Sequence, residues 1–383
     1  MTSRAWLFVL ALAITIATLL APSEALAVDR NFAGSAQLDY HYSSERSAAQ
    51  PTGPTFRGFT LEAALKLSVD VTDRFSANAK ICVGCHGLET DMLHADYRFA
   101  DELSVRVGRF SPSFGAFNLR HDPANHRLSD KPLPYDMGRM LRLREWNMGV
   151  LPSPFPDNGV EISGTHWFGS KVQADYAAHV VSGLKGPASG TDLDFVQTRS
   201  YVDNNERPSF GGRVALTNRF SQFRDATVGA SVMHGTFDPK SALSYTILGA
   251  DLSFRIDRTN FRFEYLVRRQ DLDVSSLERF KYEVVPGGDY FLKHGGYGEV
   301  ELPITRSLDV MGRFDFLFRS GNVSVESPLQ ARSGIFRYTL GLAYTLERGV
   351  RIKYSTELWS FSDPGLIGNQ TAVSSHLGVA AAF

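Results

Sequence analysis

The chain of 383 residues holds two cysteines, and they stand three apart with a histidine directly after: Cys82-Val83-Gly84-Cys85-His86. Two thiols at this spacing can form thioether bonds to one haem while the adjacent imidazole ligates its iron. The same atoms support other chemistry. Two cysteines in an exported chain pair by default as a disulfide, here one that would pin a tight turn. Cys82, Cys85, His86 and His94 together are a zinc-type donor set, although neighbouring Cys85 and His86 fit one tetrahedron awkwardly. The specificity of the motif favours attachment of haem c. His86 is then the proximal iron ligand, and His94 or Met92 is the nearest distal candidate, with His121 and His126 able to fold over from further along the chain. Ligation by two histidines, or by histidine and methionine, suits electron transfer rather than oxygen chemistry.

The elements that must position this motif read as membrane strands. Residues 1–27 have the form of an export signal: Arg4 in a basic start, an apolar run from Trp6 to Leu20, and a small-x-small cleavage site at Ala25-Leu26-Ala27. The mature chain is expected to begin near Val28. No later stretch is long and apolar enough for a transmembrane helix. Basic and acidic residues, 40 against 41, are spread throughout, so charge gives no argument for a nucleic acid or an acidic partner. Aromatic residues make up 12% of the chain, with 27 Phe and 14 Tyr, while hydrophobic content stays at 43%. That combination fits strands with one face on lipid and aromatics at the interfaces, ahead of a secreted soluble β-protein.

Period-two alternation recurs along the chain. In 308–319, Leu308, Val310, Phe314, Phe316 and Phe318 oppose Asp309, Met311, Arg313, Asp315 and Arg319. In 350–359, Val350, Ile352, Tyr354 and Leu358 oppose Arg351, Lys353, Ser355 and Glu357. Charges at every second position are costly against lipid and natural along a wet lumen. The pattern predicts strands at 31–43, 57–71, 74–83, 89–99, 102–111, 159–168, 171–184, 209–219, 226–237, 243–256, 261–272, 290–304, 308–321, 334–347, 350–362 and 371–383. The expected fold is all-β: a transmembrane antiparallel β-barrel of about 16 strands over 28–383, with short periplasmic turns and long extracellular loops. In this register Cys82 points into the lumen at a hairpin tip, opposite Met92 and His94.

The connection at 112–158 is too long to be a simple link. It carries Arg120, His121, Asp122, His126, Arg127, Lys131, Arg139, Arg142, Arg144 and Glu145. The run from Arg120 to Lys131 is the candidate pore constriction, the alternative being an exposed loop of mixed charge. His166, His179, His234, His294 and His376 fall singly on strands. No nucleophile elbow, phosphate-binding loop, metalloprotease helix or calcium loop is present, so enzyme chemistry has no support.

Three resemblances follow from these residues. The last strand ends on Phe383, which resembles the terminal aromatic by which bacterial outer-membrane proteins meet their assembly machinery. Leu103-Ser104-Val105-Arg106-Val107-Gly108-Arg109-Phe110-Ser111-Pro112-Ser113-Phe114-Gly115 resembles a strand exit of phosphate-selective-type porins, with its proline placed earlier. No lysine ladder accompanies it, so phosphate selectivity is not implied. Cys82, Cys85 and His86 are similar to the attachment site of fused cytochrome–porins of iron-oxidising bacteria, although there the haem segment precedes the barrel and here two strands come first. These resemblances imply a protein of the bacterial outer membrane, set in its lipid bilayer, that carries haem for electron transfer and meets a periplasmic cytochrome. The alternative they leave is a passive porin for small or anionic solutes with Cys82 and Cys85 as a disulfide or an incidental pair. A homotrimer is expected by analogy with other sixteen-strand pores.

Overall fold

The structure, a computed structural model, describes residues 29–44, 57–84, 87–136, 149–151, 153–186, 202–273, 290–321, 333–362 and 371–383. The export signal, Cys85, His86, Arg139, Arg142, Arg144 and Glu145 lie outside the described residues.

Sixteen strands run in order: β1 (Asp29–Ser43), β2 (Gly58–Asp70), β3 (Phe75–Gly84), β4 (Gly87–Ala100), β5 (Leu103–Phe110), β6 (Asp157–Phe168), β7 (Val172–Val181), β8 (Ser209–Ser221), β9 (Arg224–Thr236), β10 (Ser244–Ile256), β11 (Thr259–Asp271), β12 (Tyr290–Pro303), β13 (Leu308–Gly321), β14 (Ser333–Glu347), β15 (Val350–Phe361) and β16 (Thr371–Ala382). Each pairs antiparallel with its sequence neighbours, and β1 pairs with β16 to close the barrel. Closure satisfies the backbone groups that an open edge would leave bare in lipid. At the seam the Phe383 amide donates to Gly34 at 3.0 Å, and the Gly34 amide returns a bond of 2.7 Å.

The predicted and observed strands agree to within a few residues at nearly every end, and three differences have local causes. The connection expected at Phe220–Asp225 tightens to two residues, because pairing continues to Ser221↔Arg224. The one at Asp257–Asn260 tightens likewise, with Ile256 paired to Thr259. The strand expected to reach residue 184 stops at Val181. There Gly183 takes φ +97°, a conformation that favours glycine, and the chain turns inward to bury Leu184.

Both described ends and the tight turns lie at one mouth of the barrel. Two of these turns are built by threonine: the Thr72 hydroxyl accepts from the Arg74 and Phe75 amides at 3.2 and 3.0 Å, and Thr305 does the same for Ser307 and Leu308. The long connections lie at the other mouth.

Outward-facing positions are apolar and exposed, among them Leu38, Leu61, Leu65, Val228 and Leu340. Aromatics gather towards both ends of this surface: Phe32, Phe99, Phe168 and Phe220 near the tight turns, Tyr42, Phe59, Phe210 and Tyr290 near the long loops. An apolar belt between two aromatic girdles is the outer surface of a barrel that spans a bilayer.

The main core lies inside the barrel. Phe114, Phe117, Leu133, Tyr135, Val150, Leu151 and Phe155 of the connection after β5 pack on inward-facing Met233, Tyr245, Ile247, Leu266, Leu317, Ile335 and Trp359. Burying a Phe or Leu side chain is worth about 1.5–3 kcal/mol, so this cluster is what holds the connection in place.

Candidate functional site

The site is the lumen and the described parts of the connection after β5, residues 111–136, 149–151 and 153–156, that occupy it. β5 is only eight residues long. It ends level with Leu93, well short of the outer end of β4 at Gly87. The chain therefore leaves the wall part-way up and enters the lumen directly. It crosses to the far wall on a series of built contacts. The Ser113 amide donates to Glu161 on β6 at 2.7 Å, and the Gly115 amide to Ser231 on β9 at 3.0 Å. Glu264 on β11 then accepts four bonds: from the Ala116 and Phe117 amides at 2.7 and 3.1 Å, and from the Tyr135 and Tyr297 hydroxyls at 2.5 and 3.1 Å. One buried carboxylate thus fixes two separate stretches of the loop to two strands.

The run from Arg120 to Lys131 lies in the lumen and touches the wall on several sides. Arg120 donates to the Tyr297 hydroxyl at 3.2 Å and stacks over Phe117. His121 donates from Nδ1 to the Asn118 carbonyl at 2.7 Å, which leaves Nε2 to accept from Lys80 at 3.3 Å. Asp122 accepts from Lys80 on β3 at 2.6 Å. Arg127 bridges Glu301 and Asp309, both at 3.0 Å. Lys131 donates to the Ser153 carbonyl at 2.9 Å and stands 3.7 Å from Glu62. Lys353 on β15 holds the tip from below through the Pro123 carbonyl at 2.5 Å. His126 is buried, with Nδ1 donating to Leu128 at 2.8 Å. Burial, followed by the cations Lys353 and Lys131, holds its imidazole well below the usual histidine value.

The tightest lock is a buried charge network. Asp130 of the loop sits between Arg313 on β13 and Arg337 on β14, in contact with both guanidinium groups. Asp315 accepts from the same two arginines at 3.0 and 3.1 Å, and from the Leu133 amide at 3.0 Å. Arg337 also donates to the Lys131 carbonyl at 2.7 Å and lies 4.9 Å over the Trp359 ring. Each charge here is met by several opposite charges or donors, the condition under which buried ions are tolerated.

The two sides of the lumen differ. Inward residues on β9–β16 are mostly buried beneath the loop. On β2–β8 inward Asn78, Lys80, Asp91, His94, Glu161 and His179 are buried as well, but Lys66, Asp70, Arg98 and Arg219 are exposed, and Arg106, Ser163 and Gln173 half-buried. Arg106 bonds Asp96 at 2.7 Å and stands 3.3 Å from Glu161. At the mouth with the tight turns this wall opens into a cavity of about 570 Å³, lined by residues such as Asp29, Asp70, Arg74, Asp96, Arg98 and Arg106.

Cys82 is half-buried on β3 with its side chain inward, beside Lys80 on the same face. The cross-strand register corrects one expectation. Cys82 faces Glu89, not Met92 or His94; Met92 pairs with Lys80 and His94 with Asn78, about 13 Å down the strand. A bulge between Lys80 and Ile81 adds one residue to this offset. It inserts Asp91 into the lumen, where it pairs with Lys80 at 2.7 Å. Asp91 is the residue that plain alternation hides, because that code puts it on lipid; a buried Lys80 needing a counter-charge is its only signal. The described surroundings of Cys82 are polar, an ion-pair cluster of Lys80, Asp91 and Asp122 with the His121 imidazole beside it. His94 is held by the Arg109 carbonyl at 3.3 Å and by Asp96 at 3.2 Å.

No protein-family model matches the sequence, and no curated protein matches it. Solved structures do match the fold. The anion-selective porin of Comamonas acidovorans superposes with a TM-score of 0.57 at 10% identity, over 93% of this chain and 100% of the porin. The outer membrane channel DcaP of Acinetobacter baumannii gives 0.54 at 12% identity, covering 94% and 99%. The trimer form of OmpT of Vibrio cholerae gives 0.54 at 10%, covering 93% and 100%. The chain therefore has the fold of bacterial outer-membrane porins: a closed antiparallel barrel of sixteen strands.

Proposed function

We propose that this protein is a porin of the bacterial outer membrane, a water-filled barrel for passive passage of small solutes, narrowed by residues 111–156. The observation that carries the reading is the way the loop is built into the lumen, bonded to Glu161, Glu264, Arg313, Arg337 and Lys353 on five different strands. The apolar outer belt and the fold shared with outer-membrane channels support the location, with Phe383 on the closing strand as the contact for barrel assembly. The trimer form of the Vibrio cholerae neighbour supports a homotrimer here. Purified protein in planar bilayers should give steady single-channel currents and should swell liposomes in small sugars. Failure in both assays would mean that the loop plugs the barrel.

A second reading rests on Cys82-x-x-Cys85-His86, which would attach haem c and give the barrel a role in electron transfer with a periplasmic cytochrome. Its support is the motif, together with the inward aim of Cys82. Protein from a host with cytochrome c maturation genes should show a Soret band that Cys82→Ala abolishes. A colourless product from that host ends this reading and leaves the porin intact.

A further inference from the structure

Among the described residues, the basic residues of the loop are answered within the lumen. Arg127 meets Glu301 and Asp309, Arg120 meets Tyr297 and approaches Glu299, and Lys131 is shared by Ser153 and Glu62. On the wall, Lys80 is matched by Asp91 and Asp122, and Arg106 by Asp96 and Glu161. Lys66 is different. It lies on β2, directly across from Lys80, and so shares its inward face. It is exposed, and among the described residues it has no ion pair and no side-chain hydrogen bond. The flanking Leu65 and Leu67 point to lipid.

Lys66 also stands where water remains. The inward face of β9–β16 is mostly buried by the loop and its apolar core, and Lys80, Asp91, His94, Glu161 and His179 on β3–β7 are buried too, whereas the inward positions of β2, Ala64 apart, keep contact with water down to the cavity at the tight-turn mouth. That mouth is mixed in charge, with Arg74 and Arg98 against Asp29, Asp70 and Asp73. Above it, the unmatched charge on the wet wall of β2 is a cation.

We infer that solutes cross along the β2 side of the lumen, off the barrel axis, and that Lys66 sets the charge preference of this route, favouring small anions. The inference rests on the porin reading and adds to it a path and a solute class. An unscreened charge beside a narrow aqueous route changes ion energies by an amount comparable to thermal energy, and reversing the charge doubles the effect. At low salt, Lys66→Glu should lower the anion-to-cation permeability ratio about fivefold in reversal-potential measurements with potassium chloride gradients, with single-channel conductance retained. The effect should fade at high salt.

An unchanged ratio at normal conductance would overturn the inference and leave the porin reading standing. Absence of current from the unaltered protein would instead overturn the porin reading and the route with it. If Lys66→Glu does not assemble, Lys66→Cys in a Cys82→Ala, Cys85→Ala chain provides the test. A bulky thiol reagent should remove about half the current if the route passes this position, and no change in current would refute it.

Discussion

The two halves of the lumen are made from the same alternating strands yet do opposite things. On β9–β16 the inward positions carry large apolar groups and buried ions, and the loop completes them as a packed interior. On β2–β8 some inward groups, such as Lys80 and Glu161, are also buried against the loop, but those towards the tight turns are polar and half-exposed. Arg337 and Arg106 show the contrast. Both are arginines on lumen-facing strand positions with carboxylate partners. Arg337 is sealed between Asp130, Asp315 and Trp359, whereas Arg106 keeps a third of its side chain in water. One arginine is sealed in the interior; the other keeps contact with water.

The sharpest way to break this comparison is to remove a buried partner. Asp315→Ala leaves Arg313, Arg337 and the Leu133 amide short of an acceptor, which should cost about 3–5 kcal/mol. Denaturant unfolding in detergent, followed by tryptophan fluorescence, reads this directly, since Trp359 lies against the network. The freed loop should also raise single-channel conductance. A cost no larger than that of a surface pair would mean that the two halves are not energetically distinct.

An intermediate effect is expected from His126. Its imidazole is neutral when docked, so protonation opposes docking. The contribution is fully present above about pH 6.5, the free histidine value, and is lost as pH falls below it towards the depressed docked value. Channel noise and protease sensitivity of the loop should rise in mildly acid buffer, and His126→Phe should flatten both. An acid response that persists in that variant assigns it to another group.

The smallest structural effect belongs to the wet wall. Arg106→Gln should change unfolding free energy by less than about 1 kcal/mol, as expected for a partly exposed pair, while altering ion permeability measurably. A large loss of stability with unchanged permeability would reverse the proposed division of labour.

Much of this was legible in the sequence, for physical reasons. Alternation is imposed by lipid on one side of each strand, so segments such as Leu308–Gly321 declare both their limits and their faces. The length of the loop after β5 also announced a role, and its run from Arg120 to Lys131 does lie in the lumen. What alternation could not carry was the partner of each inward group. Met233, Ile247 and Leu266 are apolar on the lumen side, which a code of wet lumen and dry exterior cannot explain without the loop that covers them. The bulge at Lys80 is a second gap. A one-residue insertion leaves no compositional mark, yet it moves Asp91 to the inner face and shifts Met92 and His94 one residue further from Cys82.

The early exit of β5 has a consequence for how the chain matures. Its loop takes anchors from both ends of the chain: the Pro123 carbonyl accepts from Lys353 on β15, and the Ser129 carbonyl from Gln37 on β1. Contacts over such sequence separations form slowly, because the intervening chain must be ordered first. The loop's contacts with Gln37 and Lys353 are complete only when β1 and β16 have met. Barrel closure and loop locking are thereby coupled, and a chain lacking its last hairpin would lack both a seam and a settled interior.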